Sequence, residues 1–234
     1  MAITPRPITT VYEDTVYSFI KREEALVRRV YSDPLGIPTL GVGYAMIVRT
    51  PPGSLFPYAI RGTLIQDLAA IGITWVQNSA DDQLLNTLLN NLNNGNGLAN
   101  IGTGPNQVSR AIIEADVDGN PIENSLNSAG LNEFSFPILA DTQVRGLYDI
   151  SITRARSELQ AQFTKHLTRL AATDPTITNP AIAASSMFNG LDNSNEMLAL
   201  SSMAFNAPGL IGYKLTTALW YQDRAEAWYE IRYN

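Results

Sequence analysis

One segment near the N-terminus constrains this chain more than any other. It runs from Glu24 to Tyr44 and reads EALVRRVYSDPLGIPTLGVGY, with Asp33 nine positions after Glu24 and Thr39 six positions further on. The PLGIP sequence is typical of a turn, and the glycine-punctuated TLGVGY after it favours a strand. The segment therefore predicts a short hairpin that holds two carboxylates and a threonine in one small region.

The two carboxylates suit the cleavage of a glycosidic bond. In that reaction one carboxylic acid protonates the leaving oxygen, while the second carboxylate handles water or the sugar cation. The neighbouring Glu23 lacks the nine-residue spacing to Asp33, so we expect it on the surface. The alternative for Glu24 and Asp33 is that they are solvated surface acids, as most Glu and Asp residues are, and that Thr39 is an ordinary strand residue.

The composition excludes several other classes of protein. The chain has 234 residues, of which 45% are hydrophobic and 16% charged, and it contains no cysteine. Thiol chemistry and disulfides are therefore excluded, and a net charge of −6 argues against nucleic-acid binding, which relies on Lys and Arg. The single histidine, His166, excludes a His-rich metal site and suits the C-terminal end of a helix.

The remaining pattern is mostly helical. Thr10 and Glu13 form a capping box that opens a helix towards Glu24. TPPGSLFP is interpreted as a linker, the region from Asn90 to Asn106 as an exposed Asn/Gly-rich loop, and DVDGN as a tight turn rather than a calcium loop. Further helices are predicted over RGTLIQDLAAIGI, SADDQLLNTLLNNL, residues 141–167, SNEMLALSSMAFN and KLTTALWYQDRAEAWYEIRY.

The segment from Glu24 to Tyr44 resembles the active-site signature of phage-type lysozymes, and in particular of their pesticin-like muramidase branch. Three later segments resemble the same family in the family's order: LADTQVRGLYDISI, NEMLALSSMAFNAPGLIGYKLTTAL and DRAEAWYEIRYN. The chain departs from the family at Ala25, where glycine is usual, at Tyr44, where histidine is common, and near Ser151, where an acidic partner is common.

The resemblance implies an α+β, two-lobed lysozyme-like fold, mostly helical, in a single catalytic domain over residues 1–234. Residues 1–140 would form a small lobe with a β-hairpin and a large insertion at about 50–137. Residues 141–234 would form a long interlobe helix and a helical C-terminal lobe. The glycan would lie in the cleft between the lobes, and Trp220, Trp228 and Tyr229 are expected in the core of the C-terminal lobe rather than as platforms for sugars.

The resemblance also implies a function and roles for residues. The chain would be a muramidase that hydrolyses the β-1,4 bond between N-acetylmuramic acid and N-acetylglucosamine in peptidoglycan. Glu24 would be the general acid, while Asp33 and Thr39 would hold the attacking water and invert the anomeric centre. Arg224, which would pair with Glu24, and Tyr44 are supporting residues. No cofactor and no metal is expected.

The biological setting stays open at this point. The chain would act as a monomer on glycan strands, either as an endolysin or as a delivered antibacterial toxin whose insertion meets an immunity or delivery protein. It has no predicted membrane span and no secretory signal, so we expect synthesis in the cytoplasm and action on the cell wall in the periplasm. The alternative from another class is an inactive wall-binding or structural phage module, which the pI of about 4.8 and the change at Tyr44 favour.

Overall fold

The computed structural model describes residues 12–24, 26–33, 36–51, 53–95, 134–135 and 138–233. These residues form a mixed α+β protein with small antiparallel sheets and a larger helical part. The elements, in chain order, are α1 (Tyr12–Glu24), β1 (Val27–Ser32), β2 (Pro38–Gly41), β3 (Tyr44–Ala45), β4 (Ile47–Arg49), β5 (Tyr58–Ile60), α2 (Leu64–Ala70), α3 (Ala80–Asn93), α4 (Asp141–Leu170), α5 (Pro180–Leu191), α6 (Asn195–Asn206), α7 (Tyr213–Tyr221) and α8 (Arg224–Tyr233).

The described chain falls into two compact units. The first holds the described residues between Phe19 and Ile150, and the second holds Tyr12–Ser18 together with the residues from Ser151 onward. The boundaries between the units therefore fall within α1 and within α4.

The first unit contains two small sheets. Strands β1, β2 and β3 pair antiparallel, so that Tyr31 lies opposite Thr39 and Thr39 lies opposite Ala45. Strands β4 and β5 form a separate hairpin, in which Arg49 lies opposite Tyr58. The interpretation of TPPGSLFP as a linker was therefore wrong, because this sequence is the turn of the second hairpin.

The helices α2 and α3 confirm two sequence predictions. Ser79 caps α3, and its side chain accepts a hydrogen bond from the amide of Asp82. The predicted loop at Asn90 begins too early, because Leu85, Leu88 and Leu92 form one buried face that continues the helix to Asn93. The rest of that loop, from residue 96, and the DVDGN segment lie outside the described residues.

The long helix α4 confirms the prediction for residues 141–167 and continues to Leu170. Within the first unit its start is tied to β1, because the amide of Leu139 donates to the carbonyl of Arg28 over 2.8 Å and Arg28 pairs with Asp141. Val144 and Leu147 are fully buried on this part of the helix. The backbone bond and the ion pair join strand β1 to the start of helix α4.

The second unit corrects three sequence predictions. Helix α5 was missed, because Asn179 and Pro180 were taken for a helix break, whereas Asn179 is an N-cap and Pro180 occupies the first turn. The predicted last helix is two helices, separated at Gln222, which adopts a left-handed conformation with φ of 65°. Two aromatic residues expected in the core are exposed instead, Trp228 by 63% and Tyr229 by 56%.

Candidate active site

Glu24 is the last residue of α1, and its side chain is partly exposed. The next element, β1, begins at Val27, so Glu24 lies at the end of a helix and shortly before a strand. The neighbouring Glu23 is 48% exposed and pairs with Arg22 over 3.3 Å, as expected for a surface acid. The two consecutive glutamates are therefore in different environments, which makes Glu23 a matched control for Glu24.

Asp33 and Thr39 are held by the same residue of the connecting turn. The amide of Ile37 donates to Oδ1 of Asp33 over 2.7 Å, and Oγ1 of Thr39 donates to the carbonyl of Ile37 over 3.0 Å. The turn is closed further by the amide of Asp33, which donates to the carbonyl of Ile37 over 3.0 Å. Thr39 is only 3% exposed, so its hydroxyl is fixed. A hydroxyl that donates to a carbonyl can still accept from a water molecule.

Tyr31 connects the two carboxylates electrostatically. Burial raises the pKa of the Tyr31 phenol above its usual value, the negative charges of Glu24 and Asp33 raise it further, and a hydrogen bond with the backbone of Gly43 opposes them. The phenol therefore stays neutral at physiological pH and lies within electrostatic range of both acids. Tyr31 also lies opposite Thr39 in the sheet. It is therefore connected to all three predicted catalytic residues, to the two acids by their charge and to Thr39 by strand pairing.

Tyr44, a predicted supporting residue, is completely buried, and its hydroxyl donates to Oδ2 of Asp67 over 2.6 Å. Asp67 is 4% exposed and also accepts from the hydroxyl of Thr63 over 2.9 Å. The guanidinium of Arg61 lies 4.8 Å from the centre of the Tyr44 ring and donates to the carbonyl of Ala45 over 2.7 Å. The strand that pairs with Thr39 is thus anchored by Asp67 in α2 and by Arg61.

Arg224, the second supporting residue, lies in the other unit at the start of α8. It donates to Oε1 of Glu196 over 2.7 Å. The predicted pairing of Arg224 with Glu24 stays a prediction.

Two residues of this region were missed by the sequence analysis. Asp67 has a signal, because it lies between Leu64 and Leu68 on the buried face of α2, and an acid on an apolar face requires a polar partner. Tyr31 has a weaker one, since it lies two positions before Asp33 in a short strand. The pairing of β1 with β2, which places Tyr31 opposite Thr39, is not visible in the sequence.

The described residues contain no group of three or more His, Asp or Glu side chains that could hold a metal ion. In the same part of the chain, no helix is long and apolar enough to cross a membrane. Comparison of the chain with models of protein families, with curated proteins and with solved structures finds no match. The chemistry of this region is therefore inferred from its own residues.

Proposed function

We propose that the protein is a peptidoglycan muramidase that hydrolyses the β-1,4 bond between N-acetylmuramic acid and N-acetylglucosamine. The observation that carries the proposal is that Ile37 holds both Asp33 and Thr39 by hydrogen bonds, with Thr39 opposite Tyr31, whose pKa is raised by the charges of Glu24 and Asp33 as well as by burial. Two acids near one neutral phenol, with a buried hydroxyl opposite it, provide a proton donor, a proton acceptor and a holder for water.

In this proposal Glu24 is protonated at the start of the reaction and gives its proton to the glycosidic oxygen as the bond to the anomeric carbon breaks. A water molecule attacks the anomeric carbon from the opposite face. The ionised Asp33 accepts a proton from that water, while Oγ1 of Thr39 accepts its other hydrogen bond. Solvent then returns the proton from Asp33 to Glu24, and the product has the inverted, α configuration.

Tyr31 is a positioning residue in this scheme. A neutral phenol adds no further negative charge beside Glu24 and Asp33 and keeps a proton with which to hydrogen-bond. The hydrogen bond between the Tyr31 phenol and the backbone of Gly43 holds the side chain at the loop before β3. The same sheet that carries Thr39 therefore also fixes the residue next to both acids.

The test is an analysis of products from purified peptidoglycan. We expect new reducing ends that borohydride converts to muramitol, and NMR should detect the α-anomer first. Asp33→Asn and Thr39→Val should lower turnover while leaving binding to insoluble peptidoglycan largely intact, because holding the water acts mainly in the transition state. Glucosaminitol, or an initial β-anomer, would exclude the proposed reaction.

A second candidate is a wall-binding module without turnover. It is favoured by Trp228 and Tyr229, whose exposed rings on α8 could stack on sugars. In that case the wild-type protein would sediment with peptidoglycan and release no reducing ends, and Trp228→Ala would abolish sedimentation.

A further inference from the structure

The turn of the β4–β5 hairpin presents two large apolar side chains to solvent. Leu55 is 88% exposed and Phe56 is 56% exposed, and the two residues are adjacent in the chain. Exposed single apolar residues are common on protein surfaces, but an adjacent pair at the tip of a hairpin is a compact apolar projection. The exposed turn itself has no role in the proposed muramidase reaction.

The turn is held in one conformation by its own hydrogen bonds. The amide of Thr50 donates to the carbonyl of Pro57 over 3.0 Å, and the hydroxyl of Thr50 donates to the carbonyl of Phe56. The amide and the hydroxyl of Ser54 both donate to the carbonyl of Pro51, over 3.2 and 2.8 Å. Residue 52 lies outside the described residues.

The strand that leaves the turn is fixed at its first residue as well. The side-chain amide of Asn93, at the end of α3, accepts from the amide of Tyr58 over 3.0 Å and donates to its carbonyl over 3.2 Å. Folding has therefore already ordered the backbone that carries Leu55 and Phe56. A partner that binds the tip does not have to order it again, which favours binding.

The charge around the tip differs in sign from that of the whole chain. Between Asp33 and Asp67 the sequence has no acidic residue, whereas it includes Arg49 and Arg61, and the whole chain carries a net charge of −6. Arg49 is exposed at the end of β4, directly before the turn. The hairpin therefore suits a partner surface that combines negative charge with an apolar layer beneath it.

We propose that this turn is an interfacial anchor that inserts Leu55 and Phe56 into the surface of an anionic lipid bilayer. Acyl chains rearrange around a projecting pair of side chains, whereas a protein partner would need a groove of matching shape. Arg49, directly before the turn, would meet the headgroup phosphates. Two side chains and one cation give reversible attachment, so binding should weaken as salt is added. Such attachment would hold the protein at a membrane surface.

The test uses the full chain and vesicles of two compositions, phosphatidylcholine alone and phosphatidylcholine mixed with phosphatidylglycerol. Co-sedimentation should be stronger with the anionic vesicles and should decrease with salt. The double variant Leu55→Ser, Phe56→Ser should bind the anionic vesicles at least ~10-fold more weakly, because two exposed apolar groups that enter the lipid are lost. Arg49→Glu should weaken binding to the anionic vesicles only.

The matched control is the double variant Val76→Ser, Ile182→Ser. These side chains are 59% and 64% exposed and lie outside the hairpin, so vesicle binding should not change. Circular dichroism and thermal melting of each variant establish that it is folded. Brominated lipids should quench a larger share of the tryptophan fluorescence in a Phe56→Trp variant than in the wild type. This difference would show that position 56 enters the lipid.

Three results would overturn the inference: no binding of the wild-type chain to either kind of vesicle, equal binding by the Leu55→Ser, Phe56→Ser variant, or equal loss in the control. If the hairpin variant lost affinity for insoluble peptidoglycan and not for vesicles, the occupant would be the wall, and the lipid assignment would be wrong. These outcomes do not depend on muramidase activity, so they are distinguishable from a failure of the proposed function.

Discussion

The hydroxyl of Tyr44 donates to the buried carboxylate of Asp67 over 2.6 Å and joins the strand beside Thr39 to helix α2. The two residues are 23 positions apart in the chain. Helix α2 is therefore part of the framework of the candidate site.

Tyr44→Phe should destabilise the protein, because it removes one donor from a buried acceptor. We expect a loss of about 1–3 kcal/mol in the free energy of unfolding, measured with urea. In a double-mutant cycle with Asp67→Asn the two losses should not add. The control is Tyr58→Phe, whose hydroxyl has no hydrogen-bond partner among the described residues. Additive losses in the cycle would contradict a direct interaction.

Gly146 in α4 lies close to Ile71, the residue that follows α2. A Cβ atom at this position would lie 2.8 Å from Cγ2 of Ile71. Overpacking should therefore make Gly146→Ala lower the free energy of unfolding by about 1–3 kcal/mol. The better helix propensity of alanine should offset up to ~1 kcal/mol of this loss. Ile71→Ala should relieve the overpacking in the double variant.

The control for Gly146 is Gly190 in α5, where an added Cβ meets nothing within 4 Å. Gly190→Ala should be neutral or stabilising by up to ~1 kcal/mol. Equal effects of the two alanine substitutions would show that α4 is not in close contact with Ile71.

The sequence predicted the elements whose signals are local. The long helix α4 was found because its apolar residues recur at helical spacing over many turns, and α3 was found because Ser79 marks its start. The helices α7 and α8 were merged because a left-handed Gln222 has no sequence signal as clear as a glycine. The hairpin turn at 50–57 was missed because its prolines and glycine also fit a linker.

The candidate site was predictable only in part, for a related reason. The spacing of Glu24, Asp33 and Thr39 is local, so one segment sufficed to nominate them. The partners Tyr31 and Asp67 depend on strand register and on a contact between residues 23 positions apart, which periodicity does not encode.

Asp174 should make the stability of the fold decrease at acidic pH. Its pKa is lowered to about 2, chiefly by hydrogen bonds from the side chain and backbone of Thr176, and further by Tyr221 and Trp220. A carboxyl with a depressed pKa stabilises the fold above its unfolded pKa of about 4, and this contribution is lost as the pH falls towards 2. Asp174→Asn should therefore be less stable at neutral pH, and its disadvantage should shrink between pH 4 and 2.

The measurement for Asp174 is thermal melting across that pH range. Glu158→Gln, at an exposed position of α4, serves as the control and should follow the wild type throughout. A disadvantage of Asp174→Asn that stayed constant down to pH 2 would show that the hydrogen bonds to Asp174 do not depend on its ionisation.

Tyr31 should make the stability of the fold decrease at alkaline pH. Burial and the charges of Glu24 and Asp33 raise the pKa of its phenol, so the folded state holds the proton above pH 10, where the unfolded chain releases it. The stabilisation is complete below the unfolded pKa and is lost as pH rises above it. The wild type should lose stability more steeply above about pH 10 than Tyr31→Phe does. Parallel curves would show that folding does not raise the pKa of the Tyr31 phenol.

The most direct test of the muramidase proposal compares two neighbouring glutamates in a turbidity assay on purified cell walls. Glu24→Gln keeps the shape of the side chain but removes the proton that would be transferred, so lysis should fall by about 10²–10⁴-fold or more. Glu23→Gln changes an exposed residue and should leave lysis within a few-fold of the wild type. Unchanged lysis in Glu24→Gln, or a larger loss in Glu23→Gln, would contradict the assignment of Glu24 as the general acid.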